Sequence, residues 1–389
     1  MNKYECPLCR NVNTDDMLLN LECGILNDSF LYKDIQVLIC EICGHAFNKL
    51  TNEQYNNLLK YYATEYTASN LASVNKDKNT TIKYLKLYNI VSKYSNKKSR
   101  VLDIGCANGG FLAYLHNKGY TDLHGVEPIG VEEKYAEFSI KKGTAEKIPY
   151  EDSYFDIICM DQVLEHVYDV GKVFDEINRV IKPNGFLCVS LPNASKYHKK
   201  YFFDFYFFLL KEHIQHFDLS HLKFIGNLKN FKYVEHKNSD LEERPAKIIF
   251  PNLTVVFQLH SPIKIKTGNI KKLKKILQKY TKKEYIKLKK KQNIINNLKQ
   301  TPLYIWGIHR EFFYLWKNTN LSKCNIQGLI DSNKHKQENF KVDSILIQDK
   351  KILKKASKDS VVLITAFAHV DKIKKEIKEL GFKGKFINV

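Results

Sequence analysis

The stretch that most constrains this chain is residues 99–115, which read SRVLDIGCANGGFLAYL. A short apolar run is followed by Gly105, Gly109 and Gly110, and apolar residues at helical spacing begin at Phe111. This order predicts a strand, a tight turn and a helix. Because glycine has no Cβ, backbone N–H groups at the start of the helix can approach a bound nucleotide or amino-acid group closely.

A second predicted strand, residues 123–127, ends in Glu127, which lies 24 residues after Asp103. An acid at the tip of the second strand of a βαβ unit is placed to accept hydrogen bonds from both hydroxyls of a ribose. A dinucleotide site would require the spacing G-x-G-x-x-G, which the loop at 105–110 lacks. The two strand ends therefore predict a ligand that carries an adenosine.

Strands and helices alternate through the rest of this region. Predicted strands lie before a turn at 143–149 and at 154–160, 186–191 and 253–259, and predicted helices lie at 110–117, 131–138 and 170–181 and from Ser220 onward. Residues 183–185 are predicted to turn the chain into the strand at 186–191. The alternation predicts an α/β fold with a doubly wound, Rossmann-like parallel sheet, whose ligands lie at the carboxyl ends of the strands.

The N-terminal region contains two C-x2-C pairs, Cys6 with Cys9 and Cys40 with Cys43, separated by 30 residues. Two such knuckles predict a closed, tetrahedral, structural Zn²⁺ site that supplies folding energy to a segment too short for a core of its own. Cys23 is predicted to be a core residue. Nine cysteines without an N-terminal signal peptide indicate a reducing cytoplasm.

The net charge of +20 is concentrated in one segment, because residues 261–300 contain 14 lysines against one acid. This run predicts a linker helix with a solvated face, and the alternative is a contact with nucleic acid or an anionic membrane. The most apolar window, residues 201–210, is about half the length of roughly 20 residues that a membrane span needs. It is predicted to be a buried segment, a lid over a substrate or an interfacial patch, and no transmembrane segment is predicted.

Residues 210–225 contain three of the thirteen histidines. Glu212 and His213 are predicted to form a carboxylate–imidazole pair that takes a proton from a substrate, with His216 as a weaker candidate base. The alternative is that His213 and His216 shape the turn into the next helix. His221 is predicted to lie at the surface.

Residues 301–389 repeat the alternating pattern, with a strand, Gly307, a helix and a second strand that ends in Asp331. This predicts a second, smaller α/β unit. Its glycine loop is short, so a docking domain is favoured over a nucleotide site.

The segments VLDIGCANGGFL, GVEP, GTAEKIPYEDSYFDII, DQVLEHV and IKPNGFLCVSLPN resemble the class I S-adenosylmethionine-dependent methyltransferases over roughly residues 80–260. The resemblance implies a cofactor site for S-adenosylmethionine. Glu127 would hold the ribose, Thr144 and Ala145 would face the adenine, and Asp161 would lie near the methionine end. The other implied contacts are the bend residues and the proline after the ribose acid: Asp103, Gly105, Cys106, Ala107, Asn108, Gly109 and Pro128.

The order of zinc knuckles, methyltransferase core and C-terminal unit resembles the zinc-containing sugar C-methyltransferase group. The predicted boundaries are 1–50 for the zinc-binding domain, 51–98 for a helical connection, 99–260 for the methyltransferase domain, 261–300 for the basic helix and 301–389 for the C-terminal domain. The resemblance implies C- or O-methylation of a nucleotide-linked sugar or a surface-glycan precursor, a small-molecule acceptor. Two alternatives stay open: a ribosomal-RNA methyltransferase with zinc knuckles, and a non-catalytic protein that retains the cofactor fold.

Overall fold

The structure is a computed structural model, and it describes residues 4–13, 16–23, 30–66, 78–129, 136–198, 204–243, 248–260 and 271–389. The N-terminal region forms antiparallel strands, followed by two helices. These elements are β1 (Tyr4–Glu5), β2 (Val12–Asn13), β3 (Met17–Glu22), β4 (Asp34–Ile39), β5 (Ala46–Asn48), α1 (Asn52–Tyr61), a π-helical turn at Tyr62–Tyr66, and α2 (Lys78–Val91). Helix α1 begins at a capping box, in which the Thr51 hydroxyl accepts from Gln54 N and the Gln54 side chain accepts from Thr51 N.

The central region contains the elements β6 (Arg100–Ile104), α3 (Gly110–Asn117), β7 (Asp122–Glu127), β8 (Ser139–Lys142), β9 (Phe155–Asp161), α4 (Val170–Val180), β10 (Ile181–Pro192), α5 (Tyr206–Leu209), β11 (Gln215–His216), α6 (Leu219–Leu228), β12 (Phe231–Glu243) and β13 (Ile248–Leu259). Seven of its strands form one sheet in the order β12-β13-β10-β9-β6-β7-β8. The five strands β10, β9, β6, β7 and β8 are parallel to their neighbours in this run. Strand β13 is antiparallel to both of its neighbours, β12 and β10. The strand order reverses between β6 and β9, where α/β sheets open a ligand crevice.

The C-terminal region contains the long basic helix and a second sheet. Its elements are α7 (Lys272–Asn297), β14 (Leu303–Trp306), α8 (Arg310–Asn318), β15 (Ile326–Ile330), α9 (Lys334–Asn339), β16 (Lys341–Val342), β17 (Ile345–Gln348), β18 (Val361–Ile364), α10 (Val370–Glu379) and β19 (Lys385–Asn388). The sheet order is β16-β17-β15-β14-β18-β19, and all pairs except β16 with β17 are parallel. This arrangement confirms the predicted second α/β unit.

Strand β11 belongs to the N-terminal sheet, whose order is β11-β5-β4-β3. Strand β11 of the central region is therefore hydrogen-bonded through its backbone to β5, the strand that follows the second cysteine pair. One hydrophobic core joins Cys6 and Cys43 to the central sheet, and another joins β3, α5, α7 and the C-terminal sheet. The regions therefore pack as one body.

Several local predictions differ from the structure. Residues 130–135 of the helix predicted at 131–138 lie outside the described residues, and 136–138 are not helical. The predicted turn at 183–185 is a bulge within β10, whose register with β9 shifts between Ile181 and Phe186. Residues 204–210 of the apolar window are buried, which favours core over lid. His221 is fully buried, so its predicted surface position is wrong.

Among the described helices, none combines the length and the apolar character that crossing a bilayer would take. The basic helix predicted at 261–300 is present as α7, which buries Leu273, Leu277 and Tyr280 and exposes most of its lysines, and residues 261–270 lie outside the described residues. The lysines lie on the solvent-exposed face because an amphipathic helix buries only its apolar face.

Candidate active site

The bend after β6 is held in left-handed backbone conformations at Gly105 (φ +70°) and Gly109 (φ +76°). A Cβ on Gly105 would lie 2.5 Å from Val163 Cγ2, and a Cβ on Gly109 would lie 2.6 Å from Phe138 Cε2. Only glycine satisfies both demands without displacing a neighbour. The bend therefore keeps its tight shape, and its backbone closes directly over the sheet end.

Glu127, at the end of β7, lies against this bend. Its Oε2 atom accepts a hydrogen bond from Ala107 N at 3.0 Å. Burial raises the pKa of Glu127, opposed by the backbone donors of Ala107 and Ile129. The sequence places this acid beside the bend only by topology, and the structure brings the two into contact.

Asp103 and Asp161 end the neighbouring strands β6 and β9. Burial raises the pKa of Asp103 to about 8, with Asp161 and Glu127 acting in the same direction and Lys83 opposing them. Lys83 Nζ, from α2, lies 2.8 Å from Asp161 Oδ2. Three carboxylates and one lysine therefore surround the bend, and this acidic environment suits a cationic ligand.

The remaining predicted cofactor contacts lie around the same strand ends. Cys106 and Ala145 are buried, Asn108 and Thr144 are half-buried, and Pro128 and Ala107 are exposed. Thr144 pairs with Lys147 in an isolated bridge that forms the turn after β8. The structure thus brings all of these positions to the carboxyl edge of one sheet.

A second cluster lies on the segments after β9 and before β11. One ring nitrogen of His166, one of His213 and a carboxylate oxygen of Glu165 all lie within 4.8 Å of one another. His166 Nδ1 contacts Tyr62 Oη at 2.7 Å and the Glu212 carbonyl oxygen at 2.9 Å. We call Glu165, His166 and His213 the histidine cluster.

Burial dominates the protonation of this cluster. It lowers the pKa of His166 and lowers that of His213 well below its ordinary range, and it raises the pKa of Glu165 to about 8. Both rings are therefore neutral at pH 7 in the arrangement that the structure describes.

Glu212 does not orient His213 in the way the sequence predicts. Its Oε1 atom accepts from Tyr61 Oη at 3.1 Å, and its backbone carbonyl faces His166. Arg310, from the C-terminal unit, is close enough for Glu212 to raise the pKa of its guanidinium. His213 lies in one cluster with His166 and Glu165, and His216 and Arg310 also act on it electrostatically.

His216 lies outside the histidine cluster. It is fully buried, with Nδ1 at 3.3 Å from Tyr197 Oη and Nε2 at 3.1 Å from Asn48 Oδ1. Both ring nitrogens are thus engaged by structural partners, so the geometry favours the alternative of a turn-shaping residue. His221 has a similar role, because it bridges Asp218 Oδ1 and the Cys43 carbonyl.

The four predicted zinc ligands, Cys6, Cys9, Cys40 and Cys43, come together. The Sγ atoms of Cys6 and Cys43 are 3.7 Å apart, and those of Cys9 and Cys40 are 3.6 Å apart. Tetrahedral thiolates at about 2.3 Å from Zn²⁺ would lie about 3.8 Å from one another. The residues present therefore fit a four-thiolate zinc ion, which would be a structural site with no open position.

The residues beside the two clusters that the sequence did not single out are Lys83, Glu165, His166 and Arg310. Glu165 and His166 belong to the segment DQVLEHV, so the signal was present in a motif used only for the resemblance. Lys83 and Arg310 are single cations in a lysine-rich chain, and no local pattern distinguishes them.

The sequence model of a family described as a methyltransferase domain matches residues 78–236. An uncharacterized methyltransferase of Schizosaccharomyces pombe is 33% identical over 132 residues, which cover 28% of this chain and 46% of that protein. A ubiquinone biosynthesis O-methyltransferase of Azorhizobium caulinodans is 34% identical over 108 residues, which cover 25% of this chain and 42% of that protein. The chain thus spans less than half the length of either relative.

Among solved structures, the 1,6-didemethyltoxoflavin-N1-methyltransferase of Burkholderia thailandensis, crystallised with 1,6-didemethyltoxoflavin and S-adenosylhomocysteine, is 13% identical with a TM-score of 0.43. The match covers 62% of this chain and 100% of that one. The family match coincides with the strands that carry the glycine bend and Glu127. Residues 78–236 are therefore similar in sequence to methyltransferase domains, and this similarity covers the strands that form the crevice.

Proposed function

We propose that the protein transfers a methyl group from S-adenosylmethionine to a carbon or oxygen atom of a sugar, either nucleotide-linked or part of a surface-glycan precursor. The observation that carries the methyl-transfer part is the contact between Ala107 N and the Glu127 carboxylate at the crevice of the central sheet. This contact places the acid proposed to bind the ribose and the glycine bend at the same crevice, where a single ligand could touch both.

The residues around this crevice fit the donor. Glu127 would accept from the ribose hydroxyls, and the buried acids Asp103 and Asp161 would neutralise positive charge on the methionine part. S-adenosylmethionine supplies an electrophilic methyl group on a sulfonium. The chain's own task is to hold the donor there, to exclude water and to present an acceptor atom to the methyl group.

The histidine cluster is the proposed acceptor side of the site. His166 is fixed by Tyr62 and the Glu212 carbonyl, while His213 Nδ1 is buried and lacks a hydrogen-bond partner among the described residues. Tyr61 and Glu212 add a hydroxyl and a carboxylate nearby. These groups can orient an acceptor hydroxyl and assist loss of its proton.

The sugar acceptor is supported by the order of the three regions, which resembles that of the zinc-containing sugar C-methyltransferases. In that group a tyrosine commonly stands two residues before the Glu-His pair, where this chain has Leu210. O-methylation needs only a base, so the proposal includes both C- and O-methylation. We also place the protein in the cytoplasm, which agrees with all nine cysteines being free of disulfides.

A screen of nucleotide-sugar and RNA acceptors with isotopically labelled methyl donor, read as a mass shift of the acceptor, tests this proposal. We expect labelling of a nucleotide sugar. Labelling of RNA alone would support the ribosomal-RNA alternative, in which the exposed lysines of α7 contact phosphates. If calorimetry finds no binding of S-adenosylmethionine, the alternative of a non-catalytic protein would be supported.

A further inference from the structure

The histidine cluster has the composition of a metal site. It offers two imidazole nitrogens and one carboxylate oxygen, and all three ligand atoms lie within 4.8 Å of one another. This 2-His-1-carboxylate set is a recurrent ligand triad for first-row divalent metals, and it leaves coordination positions open. The four cysteines form a separate group elsewhere in the fold and have no open position.

Glu165 supplies an independent sign that a ligand is missing from the cluster. Its side chain is 1% exposed, and neither carboxylate oxygen has a hydrogen-bond partner in another described residue. His213 Nδ1 is likewise buried without a partner in that part of the chain. Burying polar atoms without partners costs free energy, so such groups imply a bound species that satisfies them.

His166 is oriented in the way that metal-bound histidines are. Its Nδ1 faces the Glu212 carbonyl at 2.9 Å and Tyr62 Oη at 2.7 Å, which leaves Nε2 directed toward Glu165. A hydrogen bond from one ring nitrogen to a carbonyl fixes the tautomer and frees the other nitrogen to coordinate. The Tyr62 hydroxyl and the Glu212 carbonyl are therefore outer partners of the site.

The ligand atoms lie within 4.8 Å of one another, so a pair would have to close by up to about 1.8 Å when a metal binds. His166 Nε2 and Glu165 Oε1 are 4.0 Å apart. Ligands at about 2.1 Å from a metal ion would lie about 3.0–3.4 Å from one another for right-angled to tetrahedral geometry. Side-chain torsions of Glu165 and His213 can supply a movement of this size.

We propose that Glu165, His166 and His213 bind a divalent metal ion, of the class that accepts imidazole and carboxylate ligands, such as Mn²⁺, Fe²⁺, Co²⁺ or Zn²⁺. The proposal rests on the proposed function for its role. There, an open coordination position would take an oxygen of the acceptor, orient it and ease release of its proton to solvent. The cluster would then serve as the acceptor-binding centre.

The test uses the full chain with its cysteine site loaded with zinc. Mn²⁺ is the probe, because it prefers nitrogen and oxygen ligands and competes poorly for thiolates. Bound Mn²⁺ is counted from the loss of the free-ion signal in electron paramagnetic resonance. The test variants are Glu165→Gln and His213→Gln, and the matched controls are the exposed residues in Glu151→Gln and His335→Gln.

We expect the wild-type protein and both controls to bind one Mn²⁺ per chain beyond the zinc, and the test variants to bind it about 10- to 100-fold more weakly. Circular dichroism confirms that each variant is folded. If the folded wild-type protein binds no Mn²⁺, Co²⁺ or second Zn²⁺ at millimolar concentration, the metal site does not exist. Equal Mn²⁺ affinity of the wild-type and both test variants would overturn it as well.

Failure of the metal site and failure of the proposed function give different results. Calorimetry with S-adenosylhomocysteine reports on the donor site, whose glycine bend and Glu127 carry no substitution in these variants. Donor binding and methyl transfer that proceed at full rate without the added ion would refute the metal proposal alone. Absence of donor binding would refute the proposed function, whatever the Mn²⁺ titration shows.

Discussion

Asp103 should make donor binding depend on pH. In the structure this acid is 5% exposed, and burial raises its pKa to about 8, with Asp161 and Glu127 adding to the rise and Lys83 opposing it. It is therefore mostly protonated at pH 7 when no cationic ligand is present. A cation at this position favours the ionised form, so binding should expel the proton.

The size of the effect follows from that pKa. If Asp103 must be ionised in the complex, the dissociation constant should fall about 50-fold between about pH 6 and about pH 8, or about 2.3 kcal/mol at about 1.36 kcal/mol for each pH unit. Near pH 7 the protein should release about 0.9 proton for each ligand bound. Affinity rises with pH because the protonated acid opposes binding only below its pKa.

Calorimetry with S-adenosylhomocysteine measures both quantities, the affinity directly and the proton count from buffers of different ionisation enthalpy. The ligand's own amino group also titrates in this range. The difference between wild type and Asp103→Asn isolates the contribution of the protein, and Asp371→Asn, at an exposed acid, is the control. If wild type and Asp103→Asn show the same pH dependence and the same proton release, the argument from the buried acid is refuted.

Three further predictions address the donor site, the cysteines and the acceptor. Glu127→Ala should weaken S-adenosylmethionine binding about 10- to 100-fold, since one charge-assisted hydrogen bond is worth about 1.5–3 kcal/mol, and calorimetry that finds unchanged affinity would contradict the ribose role. The double variant Cys9→Ala and Cys40→Ala should lose the single zinc ion expected from metal analysis, and hydrogen exchange should then speed up at residues 210–216, because Asn48 N donates to Ile214 O and β5 pairs with β11. Cys324→Ser, outside the group of four cysteines, is the control. Unchanged hydrogen exchange at 210–216 in the double variant would show that the zinc site does not stabilise that segment. Turnover of a nucleotide sugar should change by less than about threefold between about 50 and 200 mM salt, whereas RNA binding would weaken by orders of magnitude over that range.

The sequence predicted the central sheet because its signals are local. Strand β6 ends just before Gly105 and helix α3 begins just after Gly109, two glycines with left-handed backbone conformations, and the position of Glu127 follows from the topology. The histidine cluster was not predicted as a unit, since Glu165 and His213 are far apart in the chain and meet only when Ile214 N bonds to the Glu165 carbonyl oxygen at 2.8 Å. Glu212 was paired with His213 by adjacency, but Glu212 lies in a turn and its carboxylate accepts from Tyr61 instead.

The two strand-end acids show why the same sequence pattern does not settle function. Glu127 and Asp331 each follow the second strand of a strand–glycine–helix–strand unit. Asp331 is 4% exposed and accepts from Ile308 N at 3.0 Å, Asn333 N at 2.9 Å and Lys336 Nζ at 3.1 Å.

Those three donors use most of the acceptor sites that two ribose hydroxyls would compete for, because a carboxylate has about four in total. Glu127 is half-buried, and its hydrogen-bond donors in the described part of the chain are the backbone groups of Ala107 and Ile129. The deciding difference is Lys336, which comes from the helix after the second strand and neutralises Asp331. Asp331 therefore secures the loop after β15, whereas Glu127 accepts from fewer donors among the described residues.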